Sequence, residues 1–273
     1  MLPIDWNVAI KYAKLVLLAE SIPPAGDDNA LKLAITNAGY TYVDTLYGNE
    51  LATDINPHTG EIVSYGFLAL SPTSELVAVI RGTSTVLEWV HDASFLMVPS
   101  PINGLTGLTE DGFTAIYKGL RTDKAAGSTT AVAAIKAQLT GGAAKTVTVC
   151  GHSLGGALAT LLIADVAVNT PYKSPVGYTY ASPRTGDHIF AASFNAAVPF
   201  NYRIANRQDL VPQLPPFLPL PYEHVNTKYE LNPPFGKIKP NLLCMHHLTT
   251  YVWLMEQLAG SGTDPLNPEC VGP

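Results

Sequence analysis

The stretch that most restricts what this chain can fold into is Thr146-Val147-Thr148-Val149-Cys150-Gly151-His152-Ser153-Leu154-Gly155-Gly156-Ala157-Leu158-Ala159-Thr160. It opens with β-branched residues, which suit a buried strand. It breaks at Gly151 and resumes as a small and apolar run at helical spacing, through Ala157, Leu158, Leu161, Leu162 and Ala164. Between strand and helix lies Gly-x-Ser-x-Gly, the pattern of a nucleophile elbow. A serine hydroxyl is a weak nucleophile, so it must be lifted clear of the sheet to meet a histidine base. Glycines on either side leave room for that sharp turn and for close strand–helix packing. The helix that follows points its first amides at the same spot, where a negative oxygen would develop.

The rest of the chain reads as strands alternating with helices. The spacing predicts a helix over residues 4–20, ended by Pro23-Pro24, and strands over 40–47, 61–70 and 75–81. A helix over 85–96 is apolar nearly all round, and a loop follows over 99–107. Further helices are expected over 112–120, 128–139, 154–168, 186–197 and 246–258, with strands over 145–150, 176–181 and 199–204. Residues 214–221, Leu-Pro-Pro-Phe-Leu-Pro-Leu-Pro, can neither pair nor coil and must form an apolar loop. This order implies an α/β sheet that is largely parallel in its second half. With 273 residues, no repeats and no linker, residues 1–273 are read as a single domain.

Composition narrows the function. The net charge is −6 and no basic stripe is present, which argues against nucleic acid as a partner. Charged residues make up 14% of the chain, against roughly 25% in typical soluble domains. Hydrophobic residues make up 47%, yet no apolar run reaches the roughly 18 residues of a transmembrane span. The excess apolar surface is therefore either core or a face for lipid or oily substrate. The first residues show no basic segment ahead of an apolar run, so no secretory signal is read, and export and cytoplasmic residence both stay open. Of three cysteines, Cys150 falls in the central strand as a buried thiol. Cys244 and Cys270 are able to pair but form no regular framework. No metal-ligand spacing occurs, and the chemistry calls for no cofactor.

A serine nucleophile needs a base and a residue that orients it; behind a nucleophile elbow these follow in the chain order Ser, then acid, then His. Asp209 follows the strand expected to end near residue 204, which makes it the candidate acid. Asp187 is the runner-up, but Arg184-Thr185-Gly186-Asp187 reads better as a helix N-cap. The base comes from His246-His247, just ahead of the last apolar helix, and either member of the pair qualifies on position. His224 reads as structural, beside a hairpin-like polar run. His152 adjoins the serine in sequence but points away from its hydroxyl, so no role is assigned to it. The oxyanion donors are the amide of Leu154, next to the nucleophile, and Thr83, in the strand end Val79-Ile80-Arg81-Gly82-Thr83-Ser84.

These motifs, in this order, resemble the fungal-type class 3 lipases. Arg81-Gly82-Thr83 is similar to that family's oxyanion loop. Asp111-Gly112-Phe113, Gly151 to Ala159 and Ala181-Ser182-Pro183-Arg184 match family signatures. Asp209-Leu210-Val211-Pro212 resembles the segment holding the catalytic aspartate. Tyr222-Glu223-His224 resembles a Tyr-x-His element that is not catalytic. His246-His247-Leu248-Thr249-Thr250-Tyr251 resembles the segment of the catalytic histidine and favours His246 over His247. The resemblance implies an α/β-hydrolase fold, with a central mostly parallel sheet flanked by helices and a short helical lid. Val86, Leu87, Trp89 and Val90 fall in the segment matching that lid. Two departures stand out. Glu110 replaces a histidine found in many members, and three cysteines cannot reproduce the several disulfides of fungal members.

The expected activity is hydrolysis of triacylglycerols and other lipid esters through a Ser153–His246–Asp209 triad and an acyl-enzyme, at an oil–water interface. Rival readings on the same scaffold are a short-chain esterase, a phospholipase A1 or a feruloyl esterase; the apolar lid segment argues against the last. A more distant rival is an inactive fold that binds lipid, which would normally have lost a triad member.

Overall fold

The computed structural model describes residues 3–21, 28–49, 62–83, 95–124, 128–217, 220–262 and 264–272. Among them, seven strands form one sheet in the order β1-β2-β3-β6-β7-β9-β11. Their ranges are β1 Thr41–Asn49, β2 Ile62–Leu70, β3 Glu75–Ile80, β6 Thr146–His152, β7 Val176–Tyr180, β9 Phe200–Asn206 and β11 Lys228–Leu231. β1, β2 and β3 pair antiparallel, and from β3 to β11 every pairing is parallel. A second, small sheet has the order β10-β8-β5-β4, formed by β4 Met97–Pro99, β5 Leu108–Glu110, β8 Gly186–Asp187 and β10 Tyr222–Glu223.

Both faces of the large sheet are covered, and the central strands divide their side chains between two cores. Ala78, Ile80, Val147 and Val149 face one core. It also takes residues of α3 Asp111–Gly119, α4 Ala131–Thr140, α5 Leu154–Asn169 and α6 His188–Ala197. Val77, Val79 and Cys150 face the other core, together with α1 Trp6–Glu20, α2 Asp28–Asn37, α7 Leu242–His246 and α8 Leu248–Ala259. This is the period-two geometry of a strand buried on both sides, which is why the central strands read as unbroken apolar runs. α5 is apolar on every face for the same reason: Leu154 to Ala164 are all buried.

Register fixes where chemistry can occur. Ile80 lies beside Gly151, His152 beside Tyr180, and Tyr180 beside Ile204. The carboxyl ends of β3, β6, β7 and β9 therefore lie along one edge of the sheet. That edge is where parallel α/β sheets leave a crevice for ligands.

Several expectations need correction. The last helix does not run unbroken over 246–258: α7 ends at His246, His247 is extended (φ −53°, ψ 132°), and α8 starts at Leu248. The helix expected from residue 186 starts at His188, because Gly186 and Asp187 pair with β10. The polar run after His224 is no hairpin, since Lys228 to Leu231 pair parallel with β9 as the sheet's edge. The helix expected over 85–96 falls mostly outside the described residues, as do Val86, Leu87, Trp89 and Val90; at its end, Phe95 and Leu96 lead straight into β4. Cys244 and Cys270 form a disulfide, and Cys150 is a buried free thiol. Asp187 caps α6 through Phe190 N at 2.7 Å. Glu110 caps α3 through Phe113 N at 2.7 Å, and burial pushes its carboxyl up to about 7.

One tight joint is Gly155, between α5 and the end of β3. A Cβ there would lie 2.3 Å from the Arg81 carbonyl oxygen and 2.4 Å from that of Ile80, both main-chain atoms unable to move aside. Gly155→Ala is expected to lower the melting temperature by at least about 5 °C or to abolish soluble expression. Gly119→Ala, where a Cβ meets nothing within 4 Å, is the matched control and should leave melting unchanged or slightly raised.

Candidate active site

Ser153 sits between the end of β6 and the start of α5 with φ 57° and ψ −127°, a strained conformation for a residue with a side chain. The flanking glycines make the turn possible. A Cβ on Gly151 would lie 2.2 Å from the Gly155 carbonyl oxygen, so only hydrogen fits between strand end and first helical turn. The Ser153 amide donates to the Tyr180 carbonyl at 2.9 Å, which pins the elbow to β7.

Asp209, after β9, and His246, the last residue of α7, complete the arrangement. His246 Nε2 lies 2.8 Å from Ser153 Oγ, and His246 Nδ1 lies 2.8 Å from Asp209 Oδ2. All three side chains are buried. Asp209 is held from two further directions. The Val211 amide donates to Oδ1 at 3.0 Å, and the Tyr251 hydroxyl donates to Oδ2 at 2.7 Å. The Tyr251 oxygen accepts from the Asn206 amide at 3.0 Å, so the last residue of β9 and a residue of α8 clamp the aspartate between them. Asn206 Nδ2 also donates to the Met245 carbonyl at 2.8 Å, next to His246. With an acceptor at Nδ1, the neutral imidazole carries its proton there and leaves Nε2 free to accept from the serine. Burial pulls His246 below the ordinary imidazole range; the hydrogen bond and charge of Asp209 act against this without reversing it.

The two expected oxyanion donors flank the elbow from different elements. Leu154 is the first residue of α5. Thr83 follows β3 in a loop pressed against the elbow, where a Cβ on Gly82 would come 3.2 Å from both Ser153 Cβ and the His152 carbonyl oxygen. Arg81 stiffens that loop, its Nε donating to the Ser64 carbonyl at 2.7 Å and its Nη1 to the Gly82 carbonyl at 2.8 Å. A cavity of about 220 Å³ opens here, lined by Glu20, Arg81, Gly82, Thr83, His152, Leu243, His246 and His247. Among the described residues no group of three or more His, Cys, Asp or Glu is placed to hold a metal ion.

Of the two adjacent histidines, His246 meets the serine, while His247 is exposed and sits at the break just before α8. His224 is half-buried and bound elsewhere; its Nε2 is 2.6 Å from the Pro212 carbonyl oxygen, and desolvation together with Arg203 pushes it down to about 3. Sequence reasoning gave no role to Tyr251, which it met only as the last residue of the motif that begins at His246. It also set aside His152, whose Nδ1 lies 2.7 Å from Glu20 Oε1 and whose Nε2 lies 2.9 Å from the His246 carbonyl oxygen.

Because the folded protein holds His246 below the ordinary imidazole range, the ring is neutral at pH 7. The acid limb of kcat/KM on a soluble ester should therefore have its midpoint below 6.5, the unperturbed value. Asp209→Asn removes the contribution that raises this value, so its limb should lie lower still, while kcat falls by about 10⁴. Both are read from initial rates between pH 4 and 9.

The family model described as Lipase (class 3) matches residues 77–218. The chain is similar to the secreted mono- and diacylglycerol lipase A of Penicillium cyclopium, 33% identical over 189 residues that cover 64% of this chain and 58% of that protein. It is similar to phospholipase A1-II 6 of Oryza sativa subsp. japonica, 30% identical over 208 residues that cover 65% of this chain and 49% of that protein. The chain thus spans about half to three-fifths of the length of these relatives. Among solved structures it resembles the Rhizomucor miehei lipase propeptide complex, with a TM-score of 0.60 and 23% identity over 82% of this chain and 68% of that one. That likeness establishes the α/β-hydrolase fold. With the matched segment spanning just over half of its residues, the chain belongs to the class 3 lipase family.

Proposed function

We propose that this protein hydrolyses carboxylic esters of lipids, with Ser153 as nucleophile, His246 as general base and acid, and Asp209 as the residue that orients His246. The observation that carries the reading is the buried line Ser153 Oγ, His246, Asp209 with both links at 2.8 Å. In this reading His246 Nε2 takes the serine proton as Oγ attacks the ester carbonyl. The amides of Leu154 and Thr83 receive the developing oxyanion. His246 then protonates the leaving alcohol, and the acyl group stays on Ser153. Water enters, loses its proton to His246, and releases the fatty acid. Throughout, Asp209 holds the proton on Nδ1 and stabilises the transient imidazolium. Every step is acid–base and acyl-transfer chemistry supplied by the chain's own side chains and amides. Residues 1–273 act in it as one catalytic domain.

Exposed apolar side chains beside the site support a lipid substrate. Leu210 adjoins Asp209, Leu243 lines the cavity next to His246, and both are about half exposed. Phe217 stands out from the proline-rich loop in the same way. The names of the relatives, a mono- and diacylglycerol lipase and a phospholipase A1, support glycerol esters and leave the headgroup to be assayed. Val86, Leu87, Trp89 and Val90, outside the described residues, belong in this proposal to the lid segment.

A fluorophosphonate reacts only with an activated serine, so the wild type should label and Ser153→Ala should not. That substitution should also lower kcat by about 10⁶ on any ester that the wild type cleaves. Rates from tributyrin to triolein, each taken through its solubility limit, then separate two outcomes. A jump at the limit with long chains accepted is expected of an interfacial lipase. Saturation below the limit with long chains refused would reassign the protein as a soluble esterase.

A further inference from the structure

One charged pair beside the triad, a buried His152 and a partly exposed Glu20, has no place in the steps above. Glu20 is the last residue of α1, on the opposite face of the sheet from α5, and it meets His152 at 2.7 Å. His152 in turn meets the carbonyl oxygen of His246 at 2.9 Å, and the two imidazole rings lie 4.8 Å apart. A carboxylate at the C-terminal end of a helix opposes the helix dipole, so this placement does nothing for α1 itself. The backbone amide of Gly82 adds a hydrogen-bond stabilisation to the same carboxylate. Glu20 therefore touches both halves of the candidate machinery: the loop that carries Thr83 and, through one ring, the main chain of His246. It also lines the cavity that both halves share.

We propose that Glu20 is a positioning residue which, acting through His152, fixes the backbone of His246 and holds the oxyanion loop against the elbow. The inference rests on the hydrolase reading given above. α1 is suited to the task because it is tied to the element that follows His246. Lys14 pairs with Glu256 of α8 at 3.2 Å and with Asp264 at 3.0 Å.

The chemistry of the link is specific. A carboxylate and a carbonyl oxygen both accept and cannot donate, so both ring nitrogens of His152 must donate and the ring is an imidazolium. Burial alone would favour the neutral ring, but the charge and hydrogen bond of Glu20 outweigh it and hold His152 above the ordinary imidazole range. Burial likewise opposes the charge on Glu20, and His152 reverses that effect and holds the carboxyl below its usual range. The other charged or titratable groups around the ring are accounted for. Arg81, after β3, donates to the Ser64 and Gly82 carbonyls; Asp209 is bound to His246; Tyr251, on α8, presents its ring at 6.3 Å and donates to Asp209; His247 lies across the shared cavity.

When rising pH removes one proton, the remaining hydrogen stays at Nδ1, facing the carboxylate. The Nε2 lone pair is then left against the His246 carbonyl, and the link fails. Activity should accordingly have an alkaline limb, set by His152 and lying above the ordinary imidazole range. Glu20→Gln changes this in a way that mere packing would not. A carboxamide donates to Nδ1, so a neutral His152 keeps its hydrogen at Nε2 and still binds the His246 carbonyl. Glu20→Ala removes the anchor altogether.

The test compares wild type, Glu20→Ala and Glu20→Gln in kcat and KM on a soluble p-nitrophenyl ester from pH 5 to 10, alongside melting temperature. Glu20→Ala should lose about ten- to a hundredfold in kcat, with KM changed by less than about twofold and the fold retained. Glu20→Gln should recover most of the loss at pH 7 and abolish the alkaline limb. A Glu20→Ala enzyme as fast as wild type overturns the proposal, as does a Glu20→Gln enzyme no faster than Glu20→Ala. Ring-nitrogen NMR of Ser153→Ala at pH 7 gives an answer that needs no turnover. A doubly protonated His152 is expected, and a neutral one overturns the proposal. Wild-type protein that neither labels with fluorophosphonate nor cleaves the ester would instead count against the hydrolase reading.

Discussion

The structure depends on how closely α5 approaches the ends of β3 and β6. Only hydrogen atoms fit at Gly151 and Gly155, because the carbonyls of Ile80, Arg81 and Gly155 occupy the space a side chain would need. That contact forces the chain through a left-handed residue at 153 and turns the Ser153 hydroxyl outward. It also presses the loop after β3 against the elbow, so the expected oxyanion donors and the serine come together as consequences of one packing event. The strain at 153 is held by burial on both sides of the sheet, since β6 and α5 are covered along almost their whole length.

The candidate base is held differently. His246 ends a helix of five residues, far too short to hold itself in place. Its position is imposed from outside. The Cys244–Cys270 disulfide ties the helix to the C-terminal segment, Asn206 holds the Met245 carbonyl, and His152 holds the carbonyl of His246 itself. Thr250 Oγ1 donates to the Cys244 carbonyl at 2.7 Å and closes the break before α8. Ser153 is therefore fixed by close packing of the sheet and its helix, and His246 by a set of polar and covalent ties from β6, β9 and the C-terminal segment.

Sequence revealed the first kind of order far better than the second. The central strands, α5, the elbow and Asp209 follow from periodicity, glycine placement and chain order, because burial on two faces writes itself into unbroken apolar runs. The break at His247 left no mark, since the apolar spacing of α8 continues backward through it. The small sheet has strands of two or three residues, below the length at which alternation can be recognised. β11 was hidden because its outward residues, Lys228 and Glu230, made an edge strand look like a polar loop. Tyr251 was legible as part of a motif, but its bond to Asp209 depends on the packing of α8 against β9, which no local pattern encodes. The Glu20–His152 contact joins residues 132 positions apart across the sheet and could only come from the folded chain.

His152 and His246 show how little burial by itself decides. Both imidazoles are buried, and their rings lie 4.8 Å apart. Burial pulls each toward the neutral form, yet one is held above the ordinary range and the other below it. Both have a carboxylate at Nδ1, so the carboxylate alone cannot be the difference. The difference lies at Nε2. His152 faces a carbonyl, which rewards a second proton, whereas His246 faces a hydroxyl, which is content to donate. Once His152 is charged, its proximity disfavours a second imidazolium beside it. A charged His152 ring thus helps to keep its neighbour neutral, and a neutral His246 is the state a general base requires.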